Sequence, residues 1–145
     1  MVWSVYVRKG FAYIPTVART EAGFHLEIEP VQVIPVENAA ALERALAETI
    51  SRGNPTVPTP MPSEALRPVV LAHVNVRSWS AFVKSASAWH VENEKGRFVI
   101  APLRAVEHGN LVQDRETREN LPEGTPLDVV VRRVIERITA QPASE

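Results

Sequence analysis

Two short stretches of this sequence carry the same arrangement of residues that can do chemistry, His-x-Glu-x-Glu. One stretch supplies His25, Glu27 and Glu29. The second supplies a matching set much later in the chain: His90, Glu92 and Glu94. Because alternate side chains of a β-strand point to the same face, each triplet presents one imidazole and two carboxylates together. Such a set can ligate a divalent metal or exchange protons, so a small metal-binding domain or an enzyme is one interpretation.

The same alternation is also typical of a strand with one buried face and one solvated face. Phe24, Leu26 and Ile28 interleave with the first triplet, while Trp89 and Val91 flank His90. If the two strands were neighbours, their four Glu side chains would form an acidic patch, which favours a basic ligand. We therefore predict a partner-binding role, and no metal-ligating or catalytic role, for all six polar residues: His25, Glu27, Glu29, His90, Glu92 and Glu94.

Other routes to catalysis find little support in the sequence. Cysteine is absent, which excludes disulfides, thiol catalysis and cysteine metal sites. Serines cluster between Ser78 and Ser87 without a Gly-x-Ser-x-Gly frame, and there is no dinucleotide-binding or Walker glycine motif. His73 lacks an acidic partner nearby in sequence and is interpreted as a satisfied strand residue. The prediction is a non-enzymatic protein without a cofactor.

The charge balance limits the class of partner. The net charge is −1, but residues 21–51 hold six Glu against Arg44 alone, whereas residues 52–104 carry a net +4. This uneven distribution is compatible with a partner surface. The chain lacks the basic excess that nucleic-acid binding needs. No apolar run approaches the roughly 20 residues of a membrane span, and the first residues do not follow signal-peptide order. We predict a cytoplasmic protein that binds neither nucleic acid nor membrane.

The first third of the chain reads as strands followed by a helix. Alternating apolar residues predict strands over Val2–Val7, Phe11–Ala18 and, with an interruption at Pro30, from Phe24 to Val36. Strands so close in sequence favour an antiparallel meander. Asn38 is a suitable N-cap for a helix that ends at Gly53.

The remainder alternates connectors with further elements. Prolines make residues 54–68 a stiff extended connector, and the near-continuous apolar run Val69–Val76 predicts a buried strand. Ser78 caps a short helix, Ser87–Leu103 forms a β-hairpin, and residues 114–123 form a polar surface loop. Thr125 is the predicted N-cap of the last helix. Apolar residues at helical spacing define the buried stripe of that helix: Leu127, Val130, Val131, Val134, Ile135 and Ile138.

The two ends of the chain resemble each other. Trp3 and Lys9-Gly10 in residues 1–53 match Trp89 and Lys95-Gly96 in residues 87–140, and the offset stays near 86 to 88 across the matching positions. Together the elements predict one α+β domain over residues 1–145, with a mostly antiparallel sheet and about three helices. The sequence leaves open a continuous sheet with helices on one face, or two βββα halves joined by the proline-rich segment 54–68.

The run SWSAFVKSASAWHVENEKGRFVI, together with the opening VYVRKGFAYIPTVARTEAG, resembles small bacterial immunity proteins of contact-dependent and other polymorphic toxin systems. The resemblance implies a cytoplasmic protein that binds and neutralises a cognate toxin domain, often a nuclease. It brings no catalytic motif. On this interpretation the Glu-rich strand faces would meet the toxin, and the oligomeric state is left open.

Overall fold

The structure is a computed structural model that describes residues 1–61 and 67–140. Its strands and helices follow in this order: β1 Val2–Arg8, β2 Phe11–Thr20, β3 His25–Pro35, α1 Ala39–Ser51, β4 Thr56–Val57, α2 Trp79–Lys84, β5 Ser87–Glu94, β6 Arg97–Ala105, β7 Leu111–Gln113, β8 Glu119–Asn120 and α3 Leu127–Ala140. Two short 3-10 helices, Val69–His73 and Glu107–Gly109, lie in the connections.

All eight strands of the described residues belong to one sheet, whose main path has the order β3-β2-β1-β5-β6-β7. Every neighbouring pair along this order is antiparallel. Of the two short strands off this path, β8 pairs antiparallel with β6, whereas β4 runs parallel to β2. The predicted α+β class, with its mostly antiparallel sheet and three helices, is confirmed.

The middle of the sheet is symmetric about the pairing of β1 with β5. Trp3 lies opposite Val91 and Val5 lies opposite Trp89, so residues offset by 86 exchange places across the pair. Both hairpin turns use a left-handed lysine followed by a glycine with positive φ, Lys9-Gly10 and Lys95-Gly96. The βββα halves thus form one continuous sheet. An internal duplication of the sequence stays a prediction, because the register describes structural symmetry alone.

Helices α1 and α3 cover one face of the sheet side by side. Trp3, Val5 and Ile14 from the first half meet Trp89, Val91 and Ile100 from the second half in a single apolar core. The predicted stripe of α3 faces this core, with Val130, Val131, Val134 and Ile138 buried. Asn38 caps α1 as predicted, because its side-chain oxygen accepts from the Ala41 N–H.

A second apolar cluster covers part of the opposite face. The expected strand Val69–Val76 is wrong: Val69–His73 forms a 3-10 helix. A buried strand needs a neighbour on each side, and β1 and β5 pair directly, so the sheet has no vacant central position. Val70 and Leu71 instead pack on Tyr6 and Tyr13 together with α2. Ser78 caps α2 as predicted, by accepting from the Ala81 N–H.

Two other local predictions are corrected. The Thr125 hydroxyl donates to the Pro122 carbonyl, and the Pro126 carbonyl accepts the first helical N–H bonds of α3, so Thr125 is not the N-cap. The predicted loop 114–123 contains β8, which is held to the sheet by β6.

Residues 62–66 of the proline-rich connector lie outside the described residues. Among the described residues, no helix is long and apolar enough to cross a membrane.

Candidate functional site

The two His/Glu triplets lie on one face of the sheet, although their strands are not neighbours. Strands β2 and β1 separate β3 from β5. The face opposite α1 and α3 nevertheless carries side chains of both triplets, His25 and Glu27 from β3 and His90 and Glu92 from β5. The 3-10 helix Val69–His73 and α2 cover this face only in part. We call this surface the His/Glu face, formed by His25, Glu27, Glu29, His90, Glu92 and Glu94.

Glu27 is the centre of a polar cluster on this face. The Tyr6 hydroxyl reaches across β2 and donates to Glu27 Oε2 at 2.5 Å. Burial raises the pKa of Glu27, while hydrogen bonds from Tyr6 and Ser4 oppose that rise by favouring the ionised carboxylate. Burial, together with the adjacent Glu27 charge, raises the pKa of Tyr6 well above 10, so Tyr6 keeps its proton as a donor.

Two histidines adjoin this cluster. His90 lies directly opposite Ser4 in the pairing of β1 with β5. Burial lowers the pKa of His90, although the nearby Glu92 carboxylate partly counteracts this effect. Desolvation is also the main cause that lowers the pKa of His25, and the positive charges of the Met1 amino group and Arg19 act in the same direction. Both imidazoles are therefore mostly neutral at pH 7.

Glu29 leaves the strand pattern because the β2–β3 register shifts between Pro15 and Thr16. Its carboxylate contacts His73 Nε2 at 2.8 Å and accepts the Val31 N–H at 2.9 Å. The His73 hydrogen bond is the main cause that lowers the pKa of Glu29. The predicted strand position of His73 is wrong, because His73 ends the 3-10 helix Val69–His73 and is exposed. Its side chain is satisfied, by an acid 44 positions earlier.

The two carboxylates on β5, Glu92 and Glu94, differ in their polar partners. Glu92 accepts the Gln113 side-chain amide at 2.7 Å and lies 3.6 Å from an Arg118 guanidinium nitrogen. Glu94 is exposed beside the β5–β6 turn. The face is thus less acidic than the four Glu residues suggest, because the chain itself balances Glu92.

Two adjoining clefts open onto the His/Glu face, and His25 lines both of them. One, of about 350 Å³, is lined by His25, His90, Glu92, Glu94 and neighbouring residues of β7. The other, of about 590 Å³, lies between β3 and the segment before α2; we call it the Tyr6 cleft. The carboxylates Glu27 and Glu29 line the Tyr6 cleft together with Tyr6, Val69 and Trp79.

The two clefts bring carboxylates, imidazoles and a tyrosine hydroxyl together around open space. Over residues 1–61 and 67–140, no three His, Asp or Glu side chains converge as a metal site. Three residues outside the two predicted triplets hold Glu27 and Glu29 in place: Tyr6, Ser4 and His73. Tyr6 and Ser4 do alternate along β1, but only the strand order shows that they face Glu27.

Comparisons with known proteins bear on the fold alone. The chain matches no family model and no curated protein. Among solved structures it is similar to NMB0488 from Neisseria meningitidis, a protein of unknown function, with a TM-score of 0.67. That similarity spans 97% of this chain and 94% of the other at 9% sequence identity. At this identity the likeness shows that the two chains share a fold and carries nothing about activity.

The Glu27 carboxyl gives a testable pH dependence. Its pKa is raised above the ordinary value of 4.5, so its contribution to stability is complete below pH 4.5 and is lost as the pH rises through the folded-state pKa. Glu27→Gln keeps an oxygen acceptor for Tyr6 but cannot ionise. We expect the stability of the wild type, relative to this variant, to increase as the pH falls toward 4.5. Urea unfolding of both proteins across this range measures the difference, and a difference that does not change with pH would contradict it.

Proposed function

We propose that this chain is a non-enzymatic binding protein of the bacterial cytoplasm, an immunity protein that neutralises a cognate toxin domain through the His/Glu face. The observation that carries the proposal is that two triplets 65 positions apart in the sequence share one incompletely covered sheet face. Helices α1 and α3 pack on the opposite face over a single apolar core. A sheet backed by such a core, with adjoining clefts on its other face, suits a pre-organised interface.

Charge supports the choice of partner. Glu27, Glu29 and Glu94 present carboxylates on or beside the two clefts. A toxin nuclease offers a basic cleft for its own substrate, and a carboxylate face opposite such a cleft speeds association and makes it salt-sensitive. The resemblance of residues 78–100 to immunity proteins points to the same class of partner.

The test is calorimetric titration with the protein encoded by the neighbouring open reading frame. We expect a complex that weakens as salt is added, and a further loss of affinity in the double variant Glu29→Gln, Glu94→Gln. Glu43→Gln on the outer side of α1 is the matched control, since Glu43 is exposed and lies on the face away from the two clefts. Absence of a complex would contradict the immunity role; equal loss in the control variant would contradict the location of the site.

An enzyme or a metal-binding domain is the second candidate. The observation that favours it is that the pKa values of Tyr6 and Glu27 in one cleft and of His90 in the adjoining cleft are all shifted. Metal analysis of the purified protein tests whether it carries a bound metal. Melting temperatures recorded in added Zn²⁺ and Mn²⁺ test whether it binds one. Bound metal, or a melting temperature raised by metal, would favour this candidate.

A further inference from the structure

We propose that the Tyr6 cleft holds an arginine side chain of the partner protein, with the guanidinium group on the carboxylate of Glu27 and the aliphatic stem along the apolar wall. This inference rests on the proposed function, because it names the group of the partner that enters the His/Glu face. The cleft, of about 590 Å³, is large enough for one long side chain and its hydration.

The carboxylates on one side of the cleft are held in position before any ligand arrives. Tyr6 fixes Glu27 through the hydroxyl hydrogen bond, and His73 with the Val31 N–H fixes Glu29. A guanidinium carries five donors in a planar fork, which suits two oriented carboxylate groups better than a lysine ammonium does. The hydroxyls of Tyr6 and Ser4 use two acceptor positions of Glu27, so that carboxylate retains free lone pairs for a third donor.

The opposite wall is apolar and aromatic. Val69 lines it from the 3-10 helix, and Trp79 lines it from the start of α2. Trp79 is partly exposed, stacks on Phe82 at 5.3 Å and meets Tyr6 edge-on at 5.4 Å, so its ring is firmly oriented. Arginine favours this combination, because its stem packs on apolar surface and its planar head stacks on aromatic rings.

One cation of the chain also lines the cleft. Arg67 is exposed and stands next to the apolar wall. Its charge repels an incoming guanidinium. Substitutions of Glu27 and Arg67 should therefore change the affinity for the partner in opposite directions. Glu27→Gln should weaken the partner complex by roughly 30-fold or more, as expected when one member of a desolvated charge pair is neutralised. Arg67→Ala should strengthen it by about twofold to fivefold.

The first experiment needs no partner. N-acetyl-arginine amide is titrated into the labelled protein, and the indole N–H signal of Trp79, assigned with Trp79→Phe, is followed by NMR. N-acetyl-citrulline amide, which has the same shape without the charge, is the matched control. We expect a saturable shift with the arginine probe, a much smaller one with citrulline, and loss of the response in Glu27→Gln. Equal shifts with both probes, or none with either, would overturn the proposal.

The partner experiment separates this inference from the immunity role. If no complex forms with the neighbouring gene product but the arginine probe still shifts Trp79 in a Glu27-dependent manner, the immunity role fails and the arginine cleft stands. If the complex forms but Glu27→Gln and Arg67→Ala leave its affinity unchanged, the cleft proposal is overturned and the immunity role survives. Glu43→Gln again serves as the control for non-specific charge effects.

Discussion

Replacing Phe82 with alanine is expected to lower the free energy of unfolding by about 3–5 kcal/mol, the usual range when a buried aromatic residue is truncated. Phe82 is fully buried between α2 and the sheet. Its ring lies edge-on to Tyr6 at 5.6 Å and to Tyr13 at 5.9 Å, and it stacks on Trp79 at 5.3 Å. It therefore joins the short helix to the sheet face that α1 and α3 leave uncovered.

The effect should reach the candidate site. Tyr6 and Trp79 both line the Tyr6 cleft, and both lose an aromatic neighbour when Phe82 is removed. Urea unfolding measures the stability loss, and arginine-probe titration of the folded variant measures the cleft. Phe82→Leu keeps most of the volume and should cost less in both assays. A stability loss under about 1 kcal/mol for Phe82→Ala would contradict the packing described, since truncation of a well-packed aromatic costs several times more.

Truncation of either core tryptophan, Trp3→Ala or Trp89→Ala, should cost about 3–5 kcal/mol as well. Both indoles are almost fully buried under α1 and α3, at equivalent positions of the two halves. They differ in one respect. The Trp3 Nε1–H donates to the Gly53 carbonyl at 3.3 Å, whereas the buried Trp89 Nε1–H has no acceptor among the described residues.

Phenylalanine substitutions at the two positions measure how much the hydrogen bond of Trp3 adds to stability. Trp3→Phe removes the hydrogen bond to the Gly53 carbonyl. Trp89→Phe removes only a donor that has no acceptor in the described part of the chain. It also keeps an aromatic ring beneath Arg137, whose guanidinium carbon lies 5.2 Å from the centre of the Trp89 ring. We expect Trp3→Phe to be the more destabilising of the two by about 1 kcal/mol, the net value of one hydrogen bond. Chemical unfolding of all four variants gives the ranking. Equal costs for the two phenylalanine variants would show that the bond to Gly53 adds nothing.

Elements with strong local signals could be predicted from the sequence. The β5–β6 hairpin follows from two alternating runs around Lys95-Gly96, and the structure places both turn residues at positive φ. The buried stripe of α3 follows from its helical spacing. The offset of 86 between Trp3 and Trp89 indicated two similar halves, and the β1–β5 register places these residues at symmetric positions.

Features that depend on strand order could not be predicted. The apolar run Val69–Val76 looks like a buried strand, because the sequence does not show that β1 and β5 pair and leave no central position free. The shared face of the two triplets likewise depends on the registers of β2 with β1 and β3, and of β1 with β5. The Tyr6–Glu27 hydrogen bond crosses an intervening strand, and the Glu29–His73 pair joins residues 44 positions apart. Such contacts have no local signature.

Hydrogen–deuterium exchange on the complex with the neighbouring gene product would show whether the His/Glu face binds the partner. The amides of β5 are already protected by pairing on both sides, so new protection should appear at the sheet-edge strand β3, around His25–Glu29, and in the segment from Arg67 to Trp79. We expect slower exchange in these two segments, with α1 and α3 unchanged. Slower exchange confined to the outer faces of α1 and α3 would contradict binding through the His/Glu face.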